Sequence, residues 1–273
     1  MKFLLTGDCH GKVSERLEDI ITNMKGFKPN DVALIILGDV GLNYWGNKTD
    51  IKNKKICEIY GIYLYCIRGN HDMRPTDVKG MITIYDENVN GLIHMEEEFP
   101  HIRYMIDGGS YVINGYNVLT IGGAYSVDKD WLLAYAAANG RSFSGWFENE
   151  QLDEFEREKI IEYVRGNHYD FVFSHTCPYE WMPTDLFLPM INQNTVDKSM
   201  EKWFSDLKNE ISYSVWCFGH YHADRIEKPF VEQYFKRWDD LDNIAKRWIT
   251  YKDLGELKGN DKYIVKSPFF YEH

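Results

Sequence analysis

Five times along this chain an apolar run gives way to a side chain that can hold a metal ion. Lys2–Thr6 precedes Asp8 and His10, and Val32–Leu37 precedes Asp39. Ile62–Ile67 ends at Gly69 and delivers Asn70, His71 and Asp72 together; Phe171–Ser174 precedes His175; Val215–Phe218 precedes His220 and His222. Any one of these blocks alone is ordinary turn chemistry. Their repetition at five strand ends is what points to a site. The candidate ligands are Asp8, His10, Asp39, Asn70, His175, His220 and His222, a mixed oxygen and nitrogen set too large for one tetrahedral ion, so two divalent ions are expected. Imidazole favours transition metals over calcium, so manganese, iron or zinc is expected, with manganese taken as the first choice. A carboxylate such as Asp39 can bridge two ions about 3.5–4 Å apart, with a water between them made hydroxide near neutral pH and aimed in line at phosphorus. His71 has a separate expected task. Neighbouring residues at a strand end point apart, so it can face the leaving group while Asn70 faces the metal, and as imidazolium it can protonate the departing oxygen.

Such a site needs parallel strands that end at one edge. Asp8, Asp39 and Asn70 are spaced 31 residues apart in both intervals, the length of a strand–helix–strand crossover. Ligands collect at the carboxyl edge of such sheets. Between the strands, apolar residues at 13, 17, 20, 21 and 24 predict a helix over Val13–Lys25, and a second is expected at Thr49–Tyr60. From Met81 the pattern turns to alternation. Ile82–Tyr85, Arg103–Ile106, Tyr111–Ile113 and Tyr116–Ile121 read as antiparallel strands, the last two joined by an Asn114-Gly115 hairpin turn, in a second sheet or at the edge of the first. Tyr44 and Trp45 lie in a long loop that could line an entrance. The loop Gly122–Lys129 could lie over the site, but a plain connection is the favoured reading, since its glycine spacing matches no phosphate-binding loop. Further helices are expected at Glu148–Arg165 and Val196–Asn209, a strand at Val231–Phe235 and a helix at Asp239–Trp248, and the last twenty residues have no clear period.

A hydrophobic content of 44% and a charged content of 27% in 273 residues are those of a globular protein. Residues 1–273 read as a single domain with a cap or loop insertion around 178–195, where three prolines interrupt any period. No apolar stretch approaches the roughly 18 residues that span a bilayer, and no basic segment followed by an apolar one opens the chain, so a cytoplasmic protein without membrane contact is expected. Five cysteines, an odd number, fit a reducing compartment. A net charge of −11 disfavours a broad nucleic-acid surface. Bound cations would reverse the field inside the site, so an anionic substrate remains compatible with that charge.

Gly7-Asp8-Cys9-His10-Gly11, Gly38-Asp39, Gly69-Asn70-His71-Asp72, the lone His175 and Gly219-His220-Tyr221-His222 resemble, in order and spacing, the calcineurin-like metallophosphoesterases. The resemblance implies a four-layer α/β/β/α sandwich with two central mixed sheets. It assigns Asp8, His10 and His222 to a first ion, Asn70, His175 and His220 to a second, Asp39 to the bridge and His71 to catalysis. The protein Ser/Thr phosphatase branch carries an Asp-Arg pair shortly after its bridging Asp, where this chain has Leu42 and Asn43. Arg74 is the candidate for the missing phosphate contact, against a structural ion pair with a neighbouring acid. The expected function is two-metal hydrolysis of phosphate esters. The alternatives are a phosphodiesterase or nuclease acting on nucleotides or nucleic acid, and a non-catalytic scaffold of the same fold.

Overall fold

The computed structural model describes residues 1–26 and 28–253. Strands β1 (Lys2–Thr6), β2 (Val32–Ile36) and β3 (Tyr63–Cys66) are joined by helices α1 (Val13–Asn23) and α2 (Lys48–Ile59). They pair in parallel. β4 (Met81–Asp86), β5 (Gly91–Glu96) and β6 (Ile102–Met105) complete one side of this sheet; β6 is parallel to β3, and β5 runs antiparallel between β6 and β4. The hairpin β7 (Gly109–Ile113) and β8 (Tyr116–Ile121) turns through Asn114 and Gly115, both at positive φ, and starts a second sheet. Helices α3 (Lys129–Ala138) and α4 (Glu154–Val164) lead to β9 (His168–Ser174), and α5 (Ser199–Glu210) leads to β10 (Ser212–Phe218). Then follow β11 (Arg225–Lys228), β12 (Val231–Gln233), β13 (Trp238–Asp240) and α6 (Leu241–Asp253). Among the described residues the sheets have seven strands in the order β13-β1-β2-β3-β6-β5-β4 and six in the order β11-β12-β10-β9-β8-β7.

The alternation of side chains along the buried strands accounts for the layers. Phe3, Leu5, Ala33, Ile35 and Tyr65 face Tyr111, Phe171, Phe173 and Val215 in one core between the sheets. The intervening Leu4, Leu34, Ile36 and Leu64 face outward onto Val13, Leu17 and Ile20 of α1 and Cys57 of α2. On the second sheet Leu119, Val172, Trp216 and Phe218 pack against Ile160 of α4 and Met200, Phe204 and Leu207 of α5. Because strands buried on both faces need cover on both, the result is the α/β/β/α sandwich expected from the resemblance.

Several boundaries differ from the sequence reading. The helix expected from Glu148 begins at Glu154, because Asp153 accepts the Glu156 N–H and Glu156 reaches back to the Asp153 N–H, a capping box that sets the start. Helix α5 starts at Ser199 rather than at Val196; Asp197 accepts the Ser199 N–H just before it. Strand β5 is not anticipated by the sequence, its burial alternating under a mixed polar pattern. Residues 238–240 form a strand, so the last helix starts at Leu241. Residues 178–195 contain two short 3₁₀ turns, Tyr179–Trp181 and Thr184–Leu186. Through the Asp185–Arg225 ion pair and Phe187 against Tyr221 this segment sits beside the loop that carries His220 and His222. The last twenty residues lie outside the described residues. Among the described residues no helix is long and apolar enough to cross a membrane.

Candidate metal centre

All seven candidate ligands follow the carboxyl ends of β1, β2, β3, β9 and β10, and they converge. Asp8 Oδ2 lies 3.2 Å from His222 Nε2 and 3.9 Å from His10 Nε2, and the two imidazole nitrogens are 2.9 Å apart. Metal–nitrogen bonds of about 2.1 Å place donor atoms about 3–3.5 Å from one another, so this group has the dimensions of one coordination shell. Asp8, Asp39 and His175 form a second group of potential ligand atoms. Asn70 Oδ1 faces His175 Nε2 at 2.9 Å, and the His175 and His220 rings are 4.9 Å apart. Asp39 stands between the groups: Oδ2 is 3.8 Å from His10 Nδ1, and Oδ1 is 3.5 Å from His175 Nε2.

The local backbone is shaped for this convergence. His10, Asp39, His220 and His222 all have positive φ, a conformation that costs a non-glycine residue about 1–3 kcal/mol and that clusters at functional sites. Glycines provide room. A Cβ on Gly38 would lie 2.0 Å from His175 Nδ1, and one on Gly69 would lie 2.0 Å from Asp39 Oδ1. Asp72 is not a ligand candidate in this geometry. Its buried carboxylate accepts the N–H groups of Val40, Gly41 and Gly69, tying the loop after β2 to the loop after β3. Burial and the nearby Asp39 raise its pKa, against those three hydrogen bonds.

Charge and hydrogen bonding prepare the donors. His175 Nδ1 is 2.8 Å from the Leu37 carbonyl, which fixes the proton there and leaves Nε2 free to ligate. Burial and the proximity of His175 push His220 well below the usual histidine range, toward the neutral form a metal needs. Burial would raise the Asp39 carboxyl, but the imidazoles of His175, His71 and His10 and the His71 N–H outweigh it and hold it low. Asp8 Oδ2 is buried and, apart from the His222 imidazole 3.2 Å away, has no polar partner. An ionised carboxylate oxygen left so is costly unless a cation completes it, and the surrounding carboxylate, amide and imidazole donors suit a divalent transition metal.

Two residues of this shell carry no signal in the sequence reading. Asn70 Nδ2 donates to Ser126 Oγ at 2.9 Å, and Glu150 in turn holds Ser126 through both its N–H and its hydroxyl. This fixes the amide so that Oδ1 faces His175. Gly122–Lys129, for which the sequence favours a plain connection over a loop at the site, therefore contributes to the shell, and the tertiary contact with Asn70 reveals the role of Ser126. His71 stands apart from the ligand groups, its N–H donating to Asp39 Oδ1 at 2.9 Å and its ring 6.0 Å from Tyr44.

Arg74 lies elsewhere. Its guanidinium pairs with Glu156 and donates to the carbonyls of Asn149 and Gln151, so the charge anticipated for a phosphate is spent on α4. Of the other histidines, His94 bonds Thr83, His101 pairs with Glu58 and His168 bonds Ser212, as expected for structural residues. The fourth, His273, lies outside the described residues. All five cysteines are buried and outside any disulfide.

No curated protein matches the chain in sequence. A family model described as calcineurin-like phosphoesterase matches residues 1–224, a span that begins before Asp8 and ends after His222. With that span, two mixed sheets between helical layers and a cluster of potential metal ligands at the strand ends, the chain belongs to the calcineurin-like phosphoesterase family.

Proposed function

We propose that this chain is a single-domain hydrolase of phosphate esters that works with two divalent ions, manganese by preference, and is capped by residues 178–195. Asp8, His10 and His222 would hold one ion, Asn70, His175 and His220 the other, and Asp39 both. When bound, the ions supply Lewis acidity toward phosphoryl oxygens and lower the pKa of a water that attacks phosphorus. The observation that carries the reading is Asp39, whose two oxygens face different imidazoles, one in each ligand group. His71 is held by its backbone at the same carboxylate while its ring lines the adjoining cleft with His10, Tyr44 and Trp45. From there it can give a proton to the leaving oxygen as the phosphorus–oxygen bond breaks. Five buried cysteines outside any disulfide support a cytoplasmic address. Arg74, engaged by Glu156, is left out of the proposed substrate contacts.

The test is hydrolysis of 4-nitrophenyl esters of phosphate after chelation and after stepwise return of manganese. Activity should vanish on chelation and return as two equivalents bind. Undiminished activity in metal-free protein, or no activity with both equivalents bound, would overturn the reading.

A further inference from the structure

Two clefts open from the cluster, and they share His10 and Lys12. One, of about 340 Å³, is bounded by Asp39, His71, Tyr44 and Trp45. Its wall is aromatic and held in place. Trp45, 44% exposed, meets Tyr44 edge-on at 4.7 Å and Phe143 at 6.1 Å, and Tyr44 donates to the Gly145 carbonyl. Asp50 accepts the N–H groups of Trp45 and Gly46, which pins the loop. The other cleft, of about 570 Å³, runs past Asp8 to Arg16, Phe235 and Lys236. Its Arg16 is not a spare cation, because Thr6 Oγ1 and the carbonyls of Phe235, Lys236 and Arg237 already engage it.

We infer that the substrate is a phosphodiester, its leaving group in the aromatic cleft and its retained substituent in the cleft of Phe235 and Lys236. The inference rests on the phosphoester reading above and adds the class of ester. A monoester has one organic substituent and would occupy one arm; a phosphorus with two ester oxygens over the cluster reaches into both. His71 lines only the aromatic cleft, so the group that needs a proton on departure belongs there. In the step itself water adds its oxygen to phosphorus and the bond to the leaving oxygen breaks. His71 gives that oxygen a proton and regains one from the water, so the products are a phosphate monoester and an alcohol.

The experiment compares bis(4-nitrophenyl) phosphate with 4-nitrophenyl phosphate on protein holding two manganese equivalents, since both release the same phenolate. The diester should have the higher kcat/KM by about tenfold or more, since its second aryl group gains a further subsite beside Phe235. A smaller ratio, or a preference for the monoester, overturns the inference while leaving the phosphoester reading intact. Absence of hydrolysis of both removes that reading, and this one with it. A second measurement fixes the direction of binding. With 4-nitrophenolate leaving in each case, Trp45→Ala should lower kcat/KM on the phenyl and methyl diesters by the same factor, while Lys236→Ala should change their ratio. The reverse pattern would place the arms the other way round and overturn the assignment.

Discussion

Two clusters of buried charge lie on the central sheets, and they are finished to different degrees. Around Glu232 on β12, both carboxylate oxygens are partnered: Arg247 and the Trp248 indole reach Oε1, and Arg237 and the Tyr234 hydroxyl reach Oε2. Burial would raise that carboxyl, but the two guanidinium groups prevail and keep it below its ordinary value. Around Asp8 and Asp39 the burial is equally deep, yet imidazole nitrogens face one another, the backbone sits at positive φ, and Asp8 Oδ2 has within reach only the His222 imidazole, 3.2 Å away, and no guanidinium or hydroxyl. A charge cluster that satisfies itself ties β12 to α6. A cluster left incomplete, on strained backbone, is built to be completed from outside.

The comparison is tested most severely by Asp39→Asn. If Asp39 serves both ligand groups, its charge is needed twice, and the variant should lose more activity than any other single change while binding less metal at both positions. Full metal content with ordinary turnover would show that the incomplete cluster is only structural. His71→Ala separates holding from catalysis. It should keep both ions and lose about 10²–10⁴-fold in rate, less on a nitrophenyl ester than on an alkyl ester, whose leaving oxygen needs the proton. A metal-depleted protein would make His71 a ligand instead.

On the finished side, Glu232→Gln leaves two arginines facing a neutral amide in the interior, where breaking a buried pair costs about 3–5 kcal/mol. Urea unfolding should register that loss, while the folded protein still binds two metal equivalents. A stable variant, or one that loses metal, would erase the distinction between the clusters. Ser126→Ala sharpens it at the edge of the site. Removing an outer-shell partner weakens metal binding by about 10–100-fold, and here the effect should fall on the ion held by Asn70 and spare the other. Competition with a graded chelator measures it, and Ser126→Thr should restore affinity because it keeps the hydroxyl.

Acid produces the smallest expected effect. The folded-state pKa of Glu232 lies below its ordinary value of 4.5, so its contribution is complete above that value and is lost as pH falls below it, when the folded form must take up a proton it resists. Urea midpoints measured from neutral pH downward should decline faster in the wild type than in Glu232→Gln. Parallel slopes would mean that another carboxylate governs acid unfolding.

From its residues alone the chain determined that parallel strands end in metal-capable side chains. Apolar runs followed at once by Asp8, Asp39, Asn70, His175 and His220 are local patterns, and repeated crossover lengths bring local patterns to one edge. The helical cover of the first strands was likewise legible, since strands such as Val32–Ile36 are apolar at every position and need burial on both faces, whereas the division into two sheets came from the family resemblance. What the sequence did not contain were the partners of polar groups with several options. Arg74 has acids nearby in sequence, but its mate is Glu156 on α4, 82 residues away. Ser126 and Glu150 look like ordinary loop residues until the fold sets Ser126 against Asn70, 56 positions earlier. Strand β5 is mixed in character and is made by its pairing with β4 and β6. Apolar periodicity is written in neighbouring residues, because burial acts on each side chain wherever the strand lies. A hydrogen bond or ion pair is a choice among competing partners, and only the folded chain decides which of them comes within about 3 Å.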